Sequence, residues 1–418
     1  MRIGVYLGRW SLHQLGGMGV YVQNLLRGVA SLDQREHELL MLVDRANRPA
    51  ARGVPLCAAI VPLVRPEWGE LTQDQRAKAI RVRRMSYRSL DAADALRGMC
   101  GSAAVDAYLW GLDDAVAHHG IDLLYFTLPP YLKRPRVPVL LTIHDLKHVH
   151  RPQDHSPGDL ARRRRWSRVA RSAALVYASY EHVRRDIEHH CRVPAEQTAV
   201  LPLACPSEIS GSVNEPARSF DFDLPDRFVL MPAQLWPHKN HERVVRAVAH
   251  LHDSKNLRIT ILCTGQTGGE CSAHAERIAR LAGDLGLGDL VRLIGFVDRP
   301  TLRALYLRAR LILVASLYEP GSFPAMEALA LGKPLAASRV TSIPETVGDA
   351  ALLFDPTSTN ELADALARLW TDDALCHRLE ELGPQEVRSR TWRDVGREWL
   401  ALCEQAHVRN PAVLEGVR

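Results

Sequence analysis

No window of about eighteen consecutive apolar residues occurs in the 418-residue chain, so a helical membrane span is not expected. The opening run, Met1-Arg-Ile-Gly-Val-Tyr-Leu7, reads as a strand and lacks the basic and apolar regions of a secretory leader. A cytoplasmic location is the expectation. The eight cysteines are scattered with no C-x-x-C pair, which excludes the usual zinc ribbons and a disulfide framework and leaves packing residues or free thiols. Nor do the 18 histidines supply a metal pattern, because the adjacent pairs His118-His119 and His189-His190 point in different directions on a helix. No proper G-x-G-x-x-G is present. Neither a metal nor a bound cofactor is expected.

Extreme charge is also lacking, at a formal +5, but the distribution is uneven. Residues 1–205 carry 29 Lys and Arg against 20 Asp and Glu, whereas the remainder carries 24 against 28. The densest run is Arg162-Arg-Arg-Arg165 with Trp166, Arg168 and Arg171. It suits an acidic acceptor or a peripheral contact with an anionic membrane surface; a solvated helix face is the plainer alternative. Nucleic acid is not an expected partner.

What is present is the material of two α/β domains: enough length for two cores, 46% hydrophobic residues and 24% charged ones. Apolar runs alternate with amphipathic stretches. In the first half, strands are expected at Arg2–Leu7, Leu39–Val43, Ile121–Phe126, Val137–Ile143 and Leu175–Tyr180, and helices at Val20–Leu32, Val105–His119 and Glu181–His189, the last with Ser179 as its N-cap. Between Pro55 and Met85 the pattern loosens, and Leu71–Met85 reads as a variable, polar and basic helical insertion, a candidate surface for a second substrate. Ser207–Asp226, rich in Ser, Pro and acids, reads as a linker. After it the alternation restarts, with strands at Phe228–Met231, Leu257–Cys263, Val291–Val297, Leu311–Ala315 and Pro334–Ser338. The last helix covers about Thr391–Ala406, and Gly383-Pro384 is a plausible crossing point back to the first domain.

One stretch organises the rest. Leu311-Ile-Leu-Val-Ala315 is a buried parallel strand, Pro324 fits the first turn of a helix, and between them Glu319 and Glu327 flank a Gly321-Ser-Phe-Pro324 bend. A helix N-terminus at a strand's carboxyl end suits a phosphate, and Gly321 lets backbone approach it closely. Glu327, read as lying on the first helical turn, would accept hydrogen bonds from a ribose diol; Glu319 would face whatever the phosphate carries. Lys239, after the Phe228–Met231 strand, is placed to act as a point charge on a diphosphate. His144-Asp145 stands at another strand's carboxyl end, where ligands gather in open α/β sheets. The loop Leu15-Gly-Gly-Met-Gly19 is a further anion cradle, although such a turn has many structural explanations.

Glu319-x7-Glu327 followed by Ala-x-Ala-x-Gly-Lys-Pro resembles the signature of the family 4 retaining glycosyltransferases, which have the GT-B fold, and the resemblance runs from Gly16-Gly17 to Trp392. It implies two Rossmann-like doubly wound domains facing each other across a cleft, an acceptor domain at 1–206 completed by 385–418 and a donor domain at 207–384. The C-terminal helix would cross back to the first. The resemblance gives His144 and Glu319 the catalytic roles at the donor sugar, with Asp145 orienting His144. Gly16, Gly17, Gln234, Lys239, Val297, Gly321, Ser322, Phe323 and Glu327 would bind the donor. Where relatives carry an arginine five residues before the lysine this chain has Gln234, which removes one cation from the expected diphosphate clamp. The implied reaction is retaining, metal-independent hexosyl transfer from a nucleotide diphosphate sugar to a glycan, lipid-linked or small-molecule acceptor, with the donor phosphate taking the acceptor's proton. The variants Gln234-x-Trp-Pro-His-Lys-Asn240 and Gly321-Ser-Phe-Pro324 resemble those of bacterial polysaccharide-assembly mannosyl- or rhamnosyltransferases, hence a GDP or dTDP sugar. Open alternatives are a nucleotide-sugar epimerase, a sugar phosphorylase, for which no Schiff-base lysine is evident, and a non-catalytic nucleotide-sugar-binding subunit.

Overall fold

A computed structural model describes residues 1–8, 17–32, 36–44, 58–63, 110–129, 137–206, 220 and 222–409. Gly16, Leu71–Met85 and residues 207–219 and 221 of the Ser207–Asp226 linker lie outside them. The chain forms two compact units, Met1–Ser179 with Arg184–Pro202 and Trp392–Arg418, and Tyr180–Val183 with Leu203–Thr391.

The first unit is built on seven parallel strands: β1 (Arg2–Gly8), β2 (Glu38–Asp44), β3 (Ala58–Leu63), β4 (Leu123–Phe126), β5 (Val139–Thr142), β6 (Leu175–Ala178) and β7 (Thr198–Val200), in the spatial order β3-β2-β1-β4-β5-β6-β7. Its helices are α1 (Gly17–Ala30), α2 (Trp110–His119), α3 (Lys147–His150), α4 (Pro157–Arg163), α5 (Trp166–Ser172) and, from Arg184 onward, α6 (Glu181–Cys191). Strand β3 falls in a Pro-rich stretch with no sequence signal of its own; only pairing with β2 makes it a strand. Ser179 is not a cap. Helix α6 starts at Glu181, which puts the N-cap position at Tyr180, and the buried Ser179 hydroxyl has no partner among the described residues.

The second unit carries six parallel strands: β8 (Val229–Pro232), β9 (Ile261–Thr264), β10 (Val291–Gly295), β11 (Leu311–Val314), β12 (Leu335–Ser338) and β13 (Leu352–Phe354), in the order β10-β9-β8-β11-β12-β13. The accompanying helices are α7 (His241–Lys255), α8 (Ser272–Asp284), α9 (Arg299–Arg308), α10 (Phe323–Ala330), α11 (Ile343–Val347), α12 (Thr359–Thr371) and α13 (Asp373–Arg388). Both faces of the sheet are covered. Val229, Met231, Ile261, Leu311 and Leu313 pack with residues of α7, α8 and α12 on one side, while Leu230, Leu262, Ile312 and Val314 pack with α9, α10 and α11 on the other. That two-sided burial is why these strands read as continuous apolar runs. The pair Gly383-Pro384, suggested by sequence as a crossing point, lies inside α13. Gly383 faces α10 closely there: a Cβ would lie 3.0 Å from the Leu329 carbonyl oxygen, tighter than ordinary van der Waals contact.

The chain re-enters the first unit as α14 (Trp392–Val408), which packs along α1. Two glycines allow the approach: a Cβ on Gly28 would sit 1.9 Å from the Trp392 carbonyl oxygen, and one on Gly396 2.6 Å from the Val29 nitrogen. Gly28→Ala is therefore expected to cost more than the roughly 1–3 kcal/mol of ordinary overpacking, because backbone must move to admit it. Gly283→Ala, on α8 with nothing within 4 Å of the new methyl, should instead gain roughly 0.5–1 kcal/mol. Urea denaturation of the two variants checks both signs.

Candidate functional site

Each parallel sheet reverses its winding direction once, between β1 and β4 in the first unit and between β8 and β11 in the second. Loops leaving the carboxyl ends of strands at such a switch point diverge and leave a crevice, the usual ligand site of open α/β sheets.

In the second unit the loop after β8 carries Lys239 and the loop after β11 carries Glu319. Backbone chemistry brings them together. Asn240 adopts a left-handed conformation (φ 68°), and its side-chain amide donates to the carbonyls of Ala315 (3.0 Å) and Pro356 (2.9 Å), while the Leu317 N–H donates to the His238 carbonyl (2.7 Å). So latched, Lys239 Nζ lies 2.5 Å from Glu319 Oε2, and Ser316 Oγ donates to the same oxygen at 2.8 Å. The Glu319 backbone is held as well: its N–H donates to Thr341 Oγ1, and its carbonyl accepts from the hydroxyls of Thr341 and Ser342. A nearly buried carboxylate thus has a cation and a hydroxyl on one oxygen.

Glu327 is not where the sequence suggested. It is the fifth residue of α10, on the second turn rather than the first, because the helix begins only at Phe323. Its side chain is buried, with Arg299 donating to Oε1 (3.0 Å) and the fully buried Tyr306 hydroxyl donating to Oε2 (2.9 Å). Burial, and then the adjacent Glu327 charge, push the Tyr306 phenol well above its ordinary pKa. Sequence reasoning missed both partners. The available signal was Asp298-Arg-Pro300: Asp298 caps α9 by accepting from the Thr301 N–H at 2.8 Å, which sets Arg299 at the helix start. Val297 precedes this cap, half-buried against the apolar cluster on the α9 face of the sheet.

At the bend, Ser322 caps α10 by accepting from the Ala325 N–H, and the N–H groups of Ser322 and Phe323 have no acceptor among the described residues. Gly321 is close-packed: a Cβ there would meet Cε2 of Tyr180, in the same unit, at 2.8 Å. Gln234 is engaged through Oε1, which accepts from the Gln266 N–H (2.9 Å) and ties the β8 loop to the β9 loop.

In the first unit, α1 begins at Gly17, which is exposed. The strand β5 delivers His144. Its ring donates to the backbone of Thr127 at the end of β4, leaving Nε2 buried and without a partner among the described residues. Burial outweighs the favourable Asp145 charge and the Thr127 bond, pushing His144 down to about 4, so the imidazole is neutral and Nε2 is an acceptor. Asp145 turns to the Lys147 N–H (3.0 Å) and toward Arg163 (3.6 Å). The basic run is partly spent internally: Arg163 pairs with Asp159 and lies 4.6 Å above the Trp166 ring, and Arg171 donates to the Cys191 carbonyl. Of the histidine pairs weighed for metal, His190 faces one oxygen of Asp186 at 3.9 Å, while His150 hydrogen-bonds the other at 2.6 Å.

Residues 16–204 match the family model described as glycosyl transferase 4-like domain, and residues 214–386 match glycosyl transferases group 1. The chain is 28% identical over 284 residues to the D-inositol 3-phosphate glycosyltransferase of Corynebacterium glutamicum, covering 65% of this chain and 67% of that protein. It is 26% identical over 294 residues to the O-antigen chain mannosyltransferase B of Escherichia coli, covering 68% and 74%. Among solved structures, Anabaena HepE in complex with UDP superposes with a TM-score of 0.66 at 15% identity, covering 96% of this chain and 99% of that one.

A second buried imidazole lies beside Lys239. His241, first residue of α7, is 1% exposed, and neither ring nitrogen has a partner among the described residues. Burial first, then the positive neighbours His274 and Lys239, lower it to about 3. An imidazole held below its unfolded value of 6.5 makes the unfolded chain bind the extra proton, so stability falls as pH drops from about 6.5 toward 3. Replacing the ring by His241→Phe should flatten the dependence between pH 5.5 and 4 by close to one proton, about 1.4 kcal/mol per pH unit. Unfolding free energies measured in urea at stepped pH test this; an unchanged slope means that His241 does not enter the folded state neutral.

Proposed function

Because the chain belongs to family 4 of the glycosyltransferases, on the GT-B fold, we propose that it moves a hexose from a nucleotide diphosphate sugar to an acceptor hydroxyl with retention of anomeric configuration. The observation that carries this reading is the Lys239–Glu319–Ser316 cluster at the switch point of the second sheet, beside the N-terminus of α10. As the glycosidic bond breaks, negative charge grows on the leaving diphosphate and positive charge on the sugar. A donor diphosphate draws Lys239 toward itself, and the α10 N-terminus with the Ser322 and Phe323 N–H groups adds fixed positive potential. The carboxylate that Lys239 leaves accepts hydrogen bonds from sugar hydroxyls. Glu327 retains the ribose role in this reading, paired in its buried position with Arg299.

The first unit contributes His144, whose bare Nε2 accepts a hydrogen bond from a hydroxyl of the donor sugar. The donor phosphate itself takes the acceptor proton, so no step calls for a metal or a bound cofactor. Mannose is the favoured hexose, on the E. coli relative's name, and the setting is polysaccharide or glycoconjugate assembly on a glycan, lipid-linked or small-molecule acceptor in the cytoplasm. For the nucleotide, the loop variants favour GDP or dTDP, and the HepE complex adds UDP as a candidate.

Thermal shift with GDP, dTDP and UDP sugars identifies the donor, since a ligand that binds only the folded state raises Tm. With that donor, Glu319→Gln and His144→Ala are each expected to lower kcat by at least about a hundred-fold while near-UV circular dichroism stays native. Ordinary turnover in either removes that residue from the mechanism. Lys239→Ala should raise the donor KM by about ten-fold, the loss of roughly 1.4 kcal/mol of binding. A wild-type protein that no nucleotide sugar stabilises and that releases no nucleotide in the presence of glycan acceptors sinks the proposal.

A further inference from the structure

Three tyrosines of the first unit are fully or almost fully buried and share their hydroxyls in one chain. Tyr21 on α1 bonds Tyr177 on β6 (2.7 Å), Tyr177 bonds Tyr125 on β4 (2.7 Å), and Tyr125 bonds Thr142 on β5 (2.9 Å). Four hydroxyls from four elements thus satisfy one another away from water. Such a network is costly to leave half-made, because each buried hydroxyl without a partner forfeits its solvation. Burial pushes Tyr125 up to about 12 and the other two phenols upward as well, so all three stay protonated and the chain is intact at neutral pH.

The two ends of the chain meet His144. Thr142 lies two residues before it on the same strand end, and the Tyr21 ring packs edge-on against the imidazole, centroids 5.0 Å apart at 75°. Tyr21 is backed in turn by Trp392 of α14 (6.0 Å), and Tyr125 by Trp399 (5.1 Å). Tyr177 is an inner member, bonded directly to Tyr21 at one end and linked through Tyr125 to Thr142 at the other.

We propose that Tyr177 is a positioning residue for His144: by tying Tyr21 to Tyr125, it holds the ring wall and the strand end that together set the imidazole's orientation and keep Nε2 presented as an acceptor. The proposal rests on the reading above in which His144 meets the donor sugar. It adds a residue that touches neither donor nor acceptor, reaching the reaction through hydroxyls that hydrophobic packing alone does not require.

Tyr177→Phe deletes a single oxygen and breaks two of the chain's three bonds. The expected result is a kcat about ten-fold lower with donor KM changed less than about two-fold, since misplacement of a catalytic group is felt in turnover before binding. Ile187→Val, a cavity variant on α6 of the same unit, serves as the comparison for lost stability and is expected to keep wild-type kcat. A Tyr177→Phe enzyme whose kcat matches that of Ile187→Val overturns the proposal. The ring-nitrogen NMR signals of His144 in the free protein give a readout that needs no activity: one tautomer, protonated at Nδ1, in the wild type and a mixture in Tyr177→Phe. Identical spectra overturn the positioning role even if His144→Ala proves active and the functional reading falls by itself. Should Tyr177→Phe fail to fold, Tyr21→Phe, which removes only the first link, is read by the same two measurements and the same outcomes.

Discussion

A parallel sheet covered on both faces leaves a polar side chain one place to stand, the carboxyl end of a strand, and everything chemical in this molecule follows from that constraint. In the second unit, strands β8 and β11 are buried along their whole length, and the first polar groups the chain can offer come in the loops that follow, where Lys239 and Glu319 lie. The first unit also sets its imidazole at a strand's carboxyl end, one strand beyond its switch point, with His144 after β5 bonded to the backbone at the end of β4.

Buried ions must then be balanced. Glu319 has Lys239 and Ser316; Glu327 has Arg299 and Tyr306. Buried pairs of this kind are poor sources of stability, because desolvation takes back most of the Coulombic gain. Apolar residues of the same volume would hold the loops as well or better. Two acids, two bases and a tyrosine near one short bend therefore add little to folding, which is why the proposed function gives the acids to a ligand. His144 and His241 make the same point with the opposite charge: each enters the fold neutral, with its pKa lowered.

Much of this was legible without coordinates, because the strands that carry the site are buried on both faces and so appear as unbroken apolar runs. Leu311–Val314 was visible for that reason, and Pro324 announced the helix that follows, although the Ser322 cap emerged only in the structure. Strand β3 was not, since it lies in a Pro-rich stretch and depends on β2 for its hydrogen bonds. The partners of Glu327 were hidden as well: Arg299 and Tyr306 are 28 and 21 residues away in sequence, and only the packing of α9 beside α10 makes them neighbours. Asn240 was read as part of a motif, whereas its amide proves to be the latch that holds the lysine loop to β11.

Alternation of apolar runs with amphipathic ones was enough by itself to determine an α/β architecture and to place Glu319, Glu327, Lys239 and His144 at the ends of strands, because local periodicity and turn chemistry are properties of neighbouring residues; what singled those four out from other loop residues was the resemblance to a known family. Tertiary structure alone decided which charges pair, that Glu327 sits a turn deeper than expected, and that three tyrosines from α1, β4 and β6 share their hydroxyls beneath His144. Those contacts join residues far apart in the chain, and a side chain's partner across a core is set by how elements pack, on which the order of residues along any one element is silent.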